Sequence, residues 1–286
     1  MRSASFLSFP RLFGVILLLL LAGYATLFAQ EKAARPVISS YTLGVGSAHV
    51  ADTYLTPLRY HGTAWRFDYR RLQAGPFAPE RITSKADVSL SLEKTHNPAG
   101  NATMWDAMIG IDWGLMRRWR PLPSLALAVG GEIAVSGGAF YNTRNGNNPV
   151  SAKASATVGL TGLAVFDFRI GRLPARLIYQ PSIPVAGAFF SPEYGQLYYE
   201  IYLGERKNLA HCAWWGNYFA LDHLLALDLR FGARSLRLGY QGKIYSTHVN
   251  HILTRSFTHL FVIGFTTEWL AVNPRKHSSL RLINAF

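Results

Sequence analysis

The sequence predicts an all-β protein, an antiparallel transmembrane β-barrel that follows an N-terminal signal peptide. Three observations support this fold class. An apolar leader opens the chain, apolar and polar residues alternate through the rest of it, and aromatic residues make up 13% of the sequence. Charged residues make up 16%, whereas a soluble domain usually has about a quarter. These features are typical of strands with one apolar, aromatic face.

The leader at residues 1–30 has the three parts of a secretory signal peptide. Arg2 and Arg11 are positive, residues 13–21 are continuously apolar, and the segment ATLFAQ provides small residues near a cleavage point. An uncleaved membrane helix is the alternative, but the apolar stretch is at the short end for crossing a bilayer. We therefore expect a signal peptide at 1–30, a barrel at 31–270 and a basic periplasmic tail at 271–286.

Period-two alternation predicts the strands. Trp65, Phe67 and Tyr69 point to one face of a strand, and the charged residues between them point to the other. A soluble β-sandwich also alternates, but the aromatic apolar face and the charged, glycine-containing opposite face favour a barrel in lipid. We predict ten strands, at 37–46, 60–72, 84–95, 102–116, 123–139, 152–171, 174–190, 219–232, 235–247 and 255–269. A hairpin at 195–203 would raise the number to twelve.

The connections alternate in character along the chain. Those after even-numbered strands are compact or rich in Pro and Gly, such as GRLPA and GARS, and those after odd-numbered strands are polar and often long. Outer-membrane barrels have short periplasmic turns and long external loops. With ten strands, this parity predicts an outer-membrane location with both termini in the periplasm.

Four blocks of the sequence resemble a known family: DTYLTPLRYHG at 52–62, YYEIYLGER at 198–206, LALDLRFGARSLRLGY at 225–240 and THLFVIGF at 258–265. They are similar to an uncharacterised group of Bacteroidetes outer-membrane proteins, classed as a domain of unknown function. The resemblance covers about residues 37–269. It implies a barrel and no activity, it transfers no functional residues, and the tail after Trp269 departs from its pattern.

Seventeen charged residues fall on the polar, inward positions, nine positive and eight negative. A barrel of eight to ten strands is only wide enough for side chains to fill, and unpaired charge in a dry interior is costly. We therefore expect a closed lumen filled by ion pairs, with a narrow solute conduit as the alternative. The inward residues are Arg66, Arg70, Lys85, Lys153, Arg169, Arg176, Arg230, Arg237 and Lys243, with Asp68, Asp87, Glu93, Asp106, Asp112, Glu132, Asp167 and Asp228.

The positive excess must lie elsewhere, because the formal net charge is +13. Several basic residues fall in turns that we place in the periplasm, where they would face anionic headgroups. The basic residues form no arm or helix face that would indicate nucleic-acid binding. These turn and tail residues are Arg71, Arg81, Arg117, Arg118, Arg120, Arg172, Arg234, Arg275, Lys276 and Arg281.

Catalytic and metal sites have weak support in the sequence. A lipid hydrolase is an alternative function because His248 and His251 lie near Ser246, but the alternation places Ser256 and His259 on opposite faces. His211 and the loop histidines could bind a metal only if their loops converge, and their spacing in the sequence does not indicate this. The sequence contains no cofactor motif. Cys212 is the single cysteine, in an aromatic loop at 191–218 where we expect an external ligand. Other expected partners are outer-membrane lipid and the barrel-assembly machinery. The machinery recognises an aromatic residue at the end of many barrels, which here is Phe286 or Trp269.

Overall fold

The computed structural model describes residues 34–232, 234–269 and 283–286. The predicted signal peptide at 1–30 and residues 271–282 of the predicted tail lie outside these ranges. None of the helices within the ranges has the length and hydropathy that a membrane-spanning helix needs. The strands are β1 Val37–Asp52, β2 Arg59–Ala74, β3 Ile82–His96, β4 Thr103–Leu122, β5 Leu125–Asn142, β6 Val150–Ile170, β7 Leu173–Phe190, β8 Ala210–Trp214, β9 Tyr218–Phe231, β10 Arg234–Val249 and β11 Ile252–Trp269. Within the described ranges the structure also has a helix, α1, at Tyr198–Leu203.

The strands close into a ring in which every neighbour is antiparallel. The last strand, β11, pairs with the first, β1, over their full lengths. Strand β7 pairs with β8 in its second half and with β9 in its first half, so β8 and β9 together make one interrupted barrel strand. The barrel therefore has ten strands, which confirms the predicted fold class and number.

The interruption between β8 and β9 has a local cause. Pro181 and Pro184 of β7 have no backbone N–H to donate to a neighbouring strand. The chain bulges at 215–217, where Pro184 lies between the part of β7 that pairs with β9 and the part that pairs with β8, and the indole N–H of Trp215 donates to the carbonyl of Pro184 at 2.6 Å. The bulge thus gives the Pro184 carbonyl a side-chain donor at the point where the ladder is interrupted.

The alternative of twelve strands is wrong, because residues 198–203 form α1 and not a hairpin. The Glu200 carboxylate accepts from the backbone N–H of Leu197 at 2.8 Å, which caps the start of the helix. Gly204 ends it with φ of 116°, a left-handed conformation that suits glycine.

The two faces of the wall differ as the alternation predicts. Large apolar side chains such as Leu43, Phe67 and Ile111 are about half exposed on the outside, and an apolar surface of this extent suits lipid. Arg66 and Asp68, which alternate with Phe67, are buried on the inside. The strands thus carry the charged residues into the lumen, where the candidate site lies.

Candidate functional site

The barrel has two ends, which we name from their connections. The loop end carries residues 53–58, 97–102, 143–149, 191–209, 215–217 and 250–251, and the terminal end carries the shorter turns together with Arg35 and residues 283–286. The lumen between them is the candidate site, because it holds most of the buried charge.

Lys85 lies at the centre of the first ion-pair group. Its side chain is 2% exposed, and its Nζ lies 2.6 Å from Glu132 Oε2 and 3.4 Å from Asp87 Oδ2. The same ammonium donates to Thr161 Oγ1 at 3.1 Å. One buried cation therefore neutralises carboxylates from β3 and β5 and ties them to β6.

A second group joins β2 to β9. The Arg66 guanidinium lies 2.9 Å from Asp68 and 2.8 Å from Asp222, and Arg70 lies 3.3 Å from Asp68. Sequence reasoning missed Asp222, although it has the same parity as Asp228 in the same strand. The period-two pattern could have found it.

Three further ion pairs lie in the terminal half of the barrel. Arg237 binds both oxygens of Asp228, at 2.7 and 2.8 Å, a bidentate geometry that is among the stronger ion pairs. Arg176 binds Asp167 at 2.6 Å, and Arg230 lies 3.9 Å from Glu268. Arg169 is exposed and makes no ion pair with any described residue, so it does not join the network.

The loop-side half of the lumen is less completely paired. Glu93 accepts from Thr258 at 2.7 Å and from Ser256 at 3.3 Å. Asp106 faces Glu93 across the strand pair; it is 4% exposed, and its Oδ1 has no hydrogen-bond partner among the described residues. Lys153 pairs at 2.8 Å with Asp52, which sequence reasoning placed in a loop.

A cavity of about 110 Å³ lies beside Asp106. Asp112 and Lys243 also border it, and neither makes an ion pair within the described part of the chain. Hydroxyl groups such as those of Ser155 and Tyr218 complete its polar lining. Such a space has the polar partners that ordered water requires. The lumen thus brings most of the predicted charged residues into contact, and it leaves Asp112 and Lys243 beside a polar cavity.

Residues 283–286 cover the terminal end. Phe286 is 5% exposed and packs with Met116 and Ile178 in an apolar cluster, under the guanidinium of Arg176 at 4.3 Å from the ring centre. Thr83 donates to the carbonyl of Ala285 at 2.5 Å. Arg118 and Arg120, which we predicted at a basic rim, donate to the carbonyls of Asn284 and Phe286. The end of the predicted tail therefore lies inside the barrel, which the sequence pattern did not indicate.

Two tyrosines help cover the loop end. The rings of Tyr54 and Tyr198 meet edge to face with centres 6.0 Å apart. The Tyr54 hydroxyl donates to the carbonyl of Gln196, and the Tyr198 hydroxyl accepts from the N–H of Ala152, both at 2.6 Å. Burial raises the pKa of both tyrosine hydroxyls. The connection after β1 and the α1 segment are thereby joined over the apolar cluster at this end, which includes Val50.

The longest connection, residues 191–209, exposes large apolar side chains at the loop end, and we call it the aromatic loop. Tyr202 is 80% exposed, and the others are more than half exposed. Hydrogen bonds hold its base, since Asn250 donates to the carbonyls of Pro192 and Asn208 at 3.2 Å. The exposed side chains are Tyr194, Tyr199, Tyr202 and Leu203. Trp214 and Trp215 are exposed too, but Trp214 belongs to β8 and Trp215 to the bulge after it.

The candidate catalytic residues do not assemble. Ser256 binds Glu93 inside the lumen, whereas His259 contacts the Tyr240 hydroxyl at 2.6 Å on the outer face, so the two diverge as the alternation predicts. His211 contacts the carbonyl of Ser191 at 3.1 Å, and His251 is exposed in a turn. No group of three His, Cys, Asp or Glu in the described ranges could hold a metal ion.

Solved structures similar to this chain are bacterial outer-membrane barrels. The outer membrane protease OmpT from Escherichia coli matches with a TM-score of 0.50 and 7% identity, over 82% of this chain and 97% of that one. The translocator domain of the autotransporter NalP from Neisseria meningitidis has a TM-score of 0.35 and 8% identity, over 90% and 95% of the two chains. A FadL homologue from Pseudomonas aeruginosa has a TM-score of 0.31 and 8% identity, over 83% and 90%. The likeness to OmpT supports the fold alone.

The sequence finds no significant match among curated proteins. A family model, by contrast, matches residues 12–276, which is nearly the whole chain and includes the four blocks that carry the resemblance noted above. The chain therefore belongs to the DUF3316 family, described as a protein of unknown function.

Proposed function

We propose that this protein is an outer-membrane barrel with a closed lumen and both termini in the periplasm, and that it binds a protein partner at the cell surface through the aromatic loop. The observation that carries this proposal is the exposure of four large apolar side chains, Tyr194, Tyr199, Tyr202 and Leu203, in one connection at the loop end. Exposed apolar patches of this kind commonly mark interaction sites.

The composition of the aromatic loop supports a protein partner. Residues 191–209 contain four tyrosines, two glycines and Arg206. Tyr, Trp and Arg are the residues that most often dominate binding energy at protein interfaces, and loops rich in Tyr, Gly and Asn are typical of protein-binding paratopes. The rigid barrel beneath would hold these side chains in place.

The lumen offers less support for transport. The tyrosine pair covers one end, residues 283–286 cover the other, and buried ion pairs cross the interior between them. A barrel of ten strands is narrow compared with the sixteen or more of porins. These features favour a closed scaffold over the narrow conduit that the sequence left open.

Orientation can be tested with cysteines at the two ends. In a Cys212→Ser background, Lys207→Cys would mark the aromatic loop and Arg172→Cys the turn between β6 and β7; both positions are exposed. A 5-kDa maleimide polymer should label the first on intact cells and the second only after the outer membrane is permeabilised. The reverse pattern would refute the proposed orientation.

Partner binding can be tested on the same cells. A photo-crosslinker attached at Lys207→Cys should give a discrete adduct on illumination. Tyr199→Ser with Tyr202→Ser should abolish that adduct, because the interface loses two anchors, each typically worth about 2 kcal/mol or more. Glu193→Ser with Glu205→Ser, a matched pair of exposed residues in the same loop, should leave it unchanged. Equal adducts from both variants would argue against the aromatic loop as the binding surface.

A further inference from the structure

We propose that the outer wall of strands β11, β1, β2 and β3, next to the loop end, binds the phosphate groups of membrane lipid headgroups. We call this surface the cationic wall, and it comprises His49, Arg59, His61, Lys94, His96 and Arg255. The proposal rests on the orientation given above, because it places the wall at the headgroup level of the outer leaflet. It adds a lipid site that is separate from the aromatic loop.

Strand register brings these side chains onto one surface. Ala51 of β1 pairs with Arg59 on one side and with Arg255 on the other. The two arginines therefore lie two strand spacings apart, or about 10 Å. Both are exposed and have the parity of the lipid-facing residues in their strands.

The histidines form the next row towards the barrel middle. His49 pairs with His61, and His61 pairs with His96; the first two rings lie 6.5 Å apart. Lys94 follows in the row below, through its pairing with Thr63. Four adjacent strands thus carry basic side chains in successive outward rows.

Among the described residues, the three permanent cations have no anionic partner on this surface. Within the described ranges, Arg59, Arg255 and Lys94 make no ion pair, and the contact of Lys94 is with the ring of Trp105 at 5.3 Å. In the lumen, by contrast, most of the charges are paired. Uncompensated cations held at fixed spacing favour an anion supplied from outside the chain.

The position of the wall fits a lipid phosphate. In the next outward row, Val45, Trp65 and Leu92 are exposed and apolar, as surface against acyl chains requires. The polarity of the strands also inverts at the wall. Ala48 and Val50 are buried inside β1, whereas His49 between them is exposed outside. A phosphorylated lipid can place its acyl chains on the apolar rows and its phosphate on the cations above them.

The patch is confined to one side of the barrel. At the same end of β5 and β6, the paired outward residues are Tyr141 and Val150, and Ala154 follows them. A general band of basic residues around the barrel would not have this gap. The distribution therefore indicates a localised site for one or a few lipids rather than uniform attraction to an anionic membrane.

The experiment uses the full-length barrel in a neutral detergent and diphosphoryl lipid A as the probe, with bound lipid counted by native mass spectrometry. We compare the wild type with Arg59→Gln/Lys94→Gln/Arg255→Gln. Each cation near an anionic lipid surface contributes about fivefold in affinity, so the triple variant should bind roughly a hundredfold more weakly. Monophosphoryl lipid A should bind the wild type more weakly than the diphosphoryl form.

The matched control is Arg144→Gln/Arg206→Gln/Lys207→Gln. It removes two arginines and one lysine from exposed loop positions at the same end, and it should bind lipid A like the wild type. Heat-dependent gel mobility selects folded barrels of every variant. Equal affinity of the wild type and the wall variant overturns the proposal, and so does a loss of equal size in the control.

Inorganic pyrophosphate distinguishes a lipid from a soluble phosphate ligand. At millimolar concentration it should not displace lipid A, because it lacks acyl chains for the apolar rows. Complete displacement by pyrophosphate would overturn the assignment to lipid. The lipid-binding assay is done in detergent, and the cysteine labelling that tests the orientation is done on cells. Either experiment can fail while the other succeeds, so the lipid site and the proposed orientation can be refuted separately.

Discussion

Replacing Lys85 by methionine removes the cation that neutralises Glu132 and Asp87 inside the barrel. The Nζ of Lys85 lies 2.6 Å from Glu132 and 3.4 Å from Asp87, and the side chain is 2% exposed. Breaking a buried ion pair by removing one partner typically costs about 3–5 kcal/mol, because the remaining charge is left buried without compensation. We expect Lys85→Met to lower the free energy of unfolding by about that amount.

The measurement is guanidinium unfolding of the barrel in lipid vesicles, followed by tryptophan fluorescence. Lys85→Met/Glu132→Gln should recover part of the loss, since Glu132 no longer leaves a charge buried, whereas Asp87 still lacks the ammonium. Lys207→Met, at an exposed loop position, is the control and should change stability by less than about 0.5 kcal/mol. A loss below about 1 kcal/mol for Lys85→Met, or a double variant less stable than the single one, would refute the idea that this cation holds the lumen together.

Three further predictions concern the ends and the unpaired carboxylate. Phe286→Ala should expose the terminal end, because a buried aromatic ring is worth about 3–5 kcal/mol. The reporter is Met116→Cys, which lies beneath the ring, in a Cys212→Ser background; with Phe286→Ala it should react with maleimide roughly a hundredfold faster or more. Phe77→Ala, at an exposed turn, is the control and should not change this rate. Burial holds the pKa values of Tyr54 and Tyr198 above their ordinary value of 10.0. The stability that these tyrosines give the loop end is therefore complete below pH 10 and is lost as the pH rises through the raised pKa values. Absorbance titration should show two late-ionising tyrosines that Tyr54→Phe/Tyr198→Phe lacks, and identical titration curves for the wild type and this variant would contradict the prediction. Asp106→Asn should raise the free energy of unfolding by about 1 kcal/mol, because it removes an unpaired buried charge opposite Glu93. A loss of stability in the same guanidinium assay would instead indicate that the Asp106 carboxylate has a stabilising partner.

Alternation was sufficient to predict the ten strands and the inward face, because a barrel wall imposes a strict two-residue period between lipid and lumen. It failed where the polarity of the faces inverts. The alternation predicts that the first strand ends at residue 46, but β1 continues to Asp52. Beyond Gly46 the small apolar residues Ala48 and Val50 face inward and His49 faces outward, so the pattern no longer resembles a lipid-facing strand.

Residues in the connections could not be assigned from a periodic pattern. Tyr54 and Tyr198 are separated by more than a hundred residues, and only the folded barrel brings them together. The burial of residues 283–286 likewise depends on tertiary contacts, namely the apolar cluster with Met116 and the carbonyl hydrogen bonds from Arg118 and Arg120. The sequence of this segment is too short to indicate whether it lies inside or outside the barrel.

The proposed closed lumen is tested most directly by single-channel recording of the full-length protein in planar bilayers. With both ends covered and ion pairs across the interior, we expect insertions without steady conductance at low voltage, including at high salt. Phe286→Ala should remain closed too, because the loop end and the lumen pairs are unchanged. A steady, ohmic conductance from most wild-type insertions would contradict a closed lumen and would favour a solute conduit.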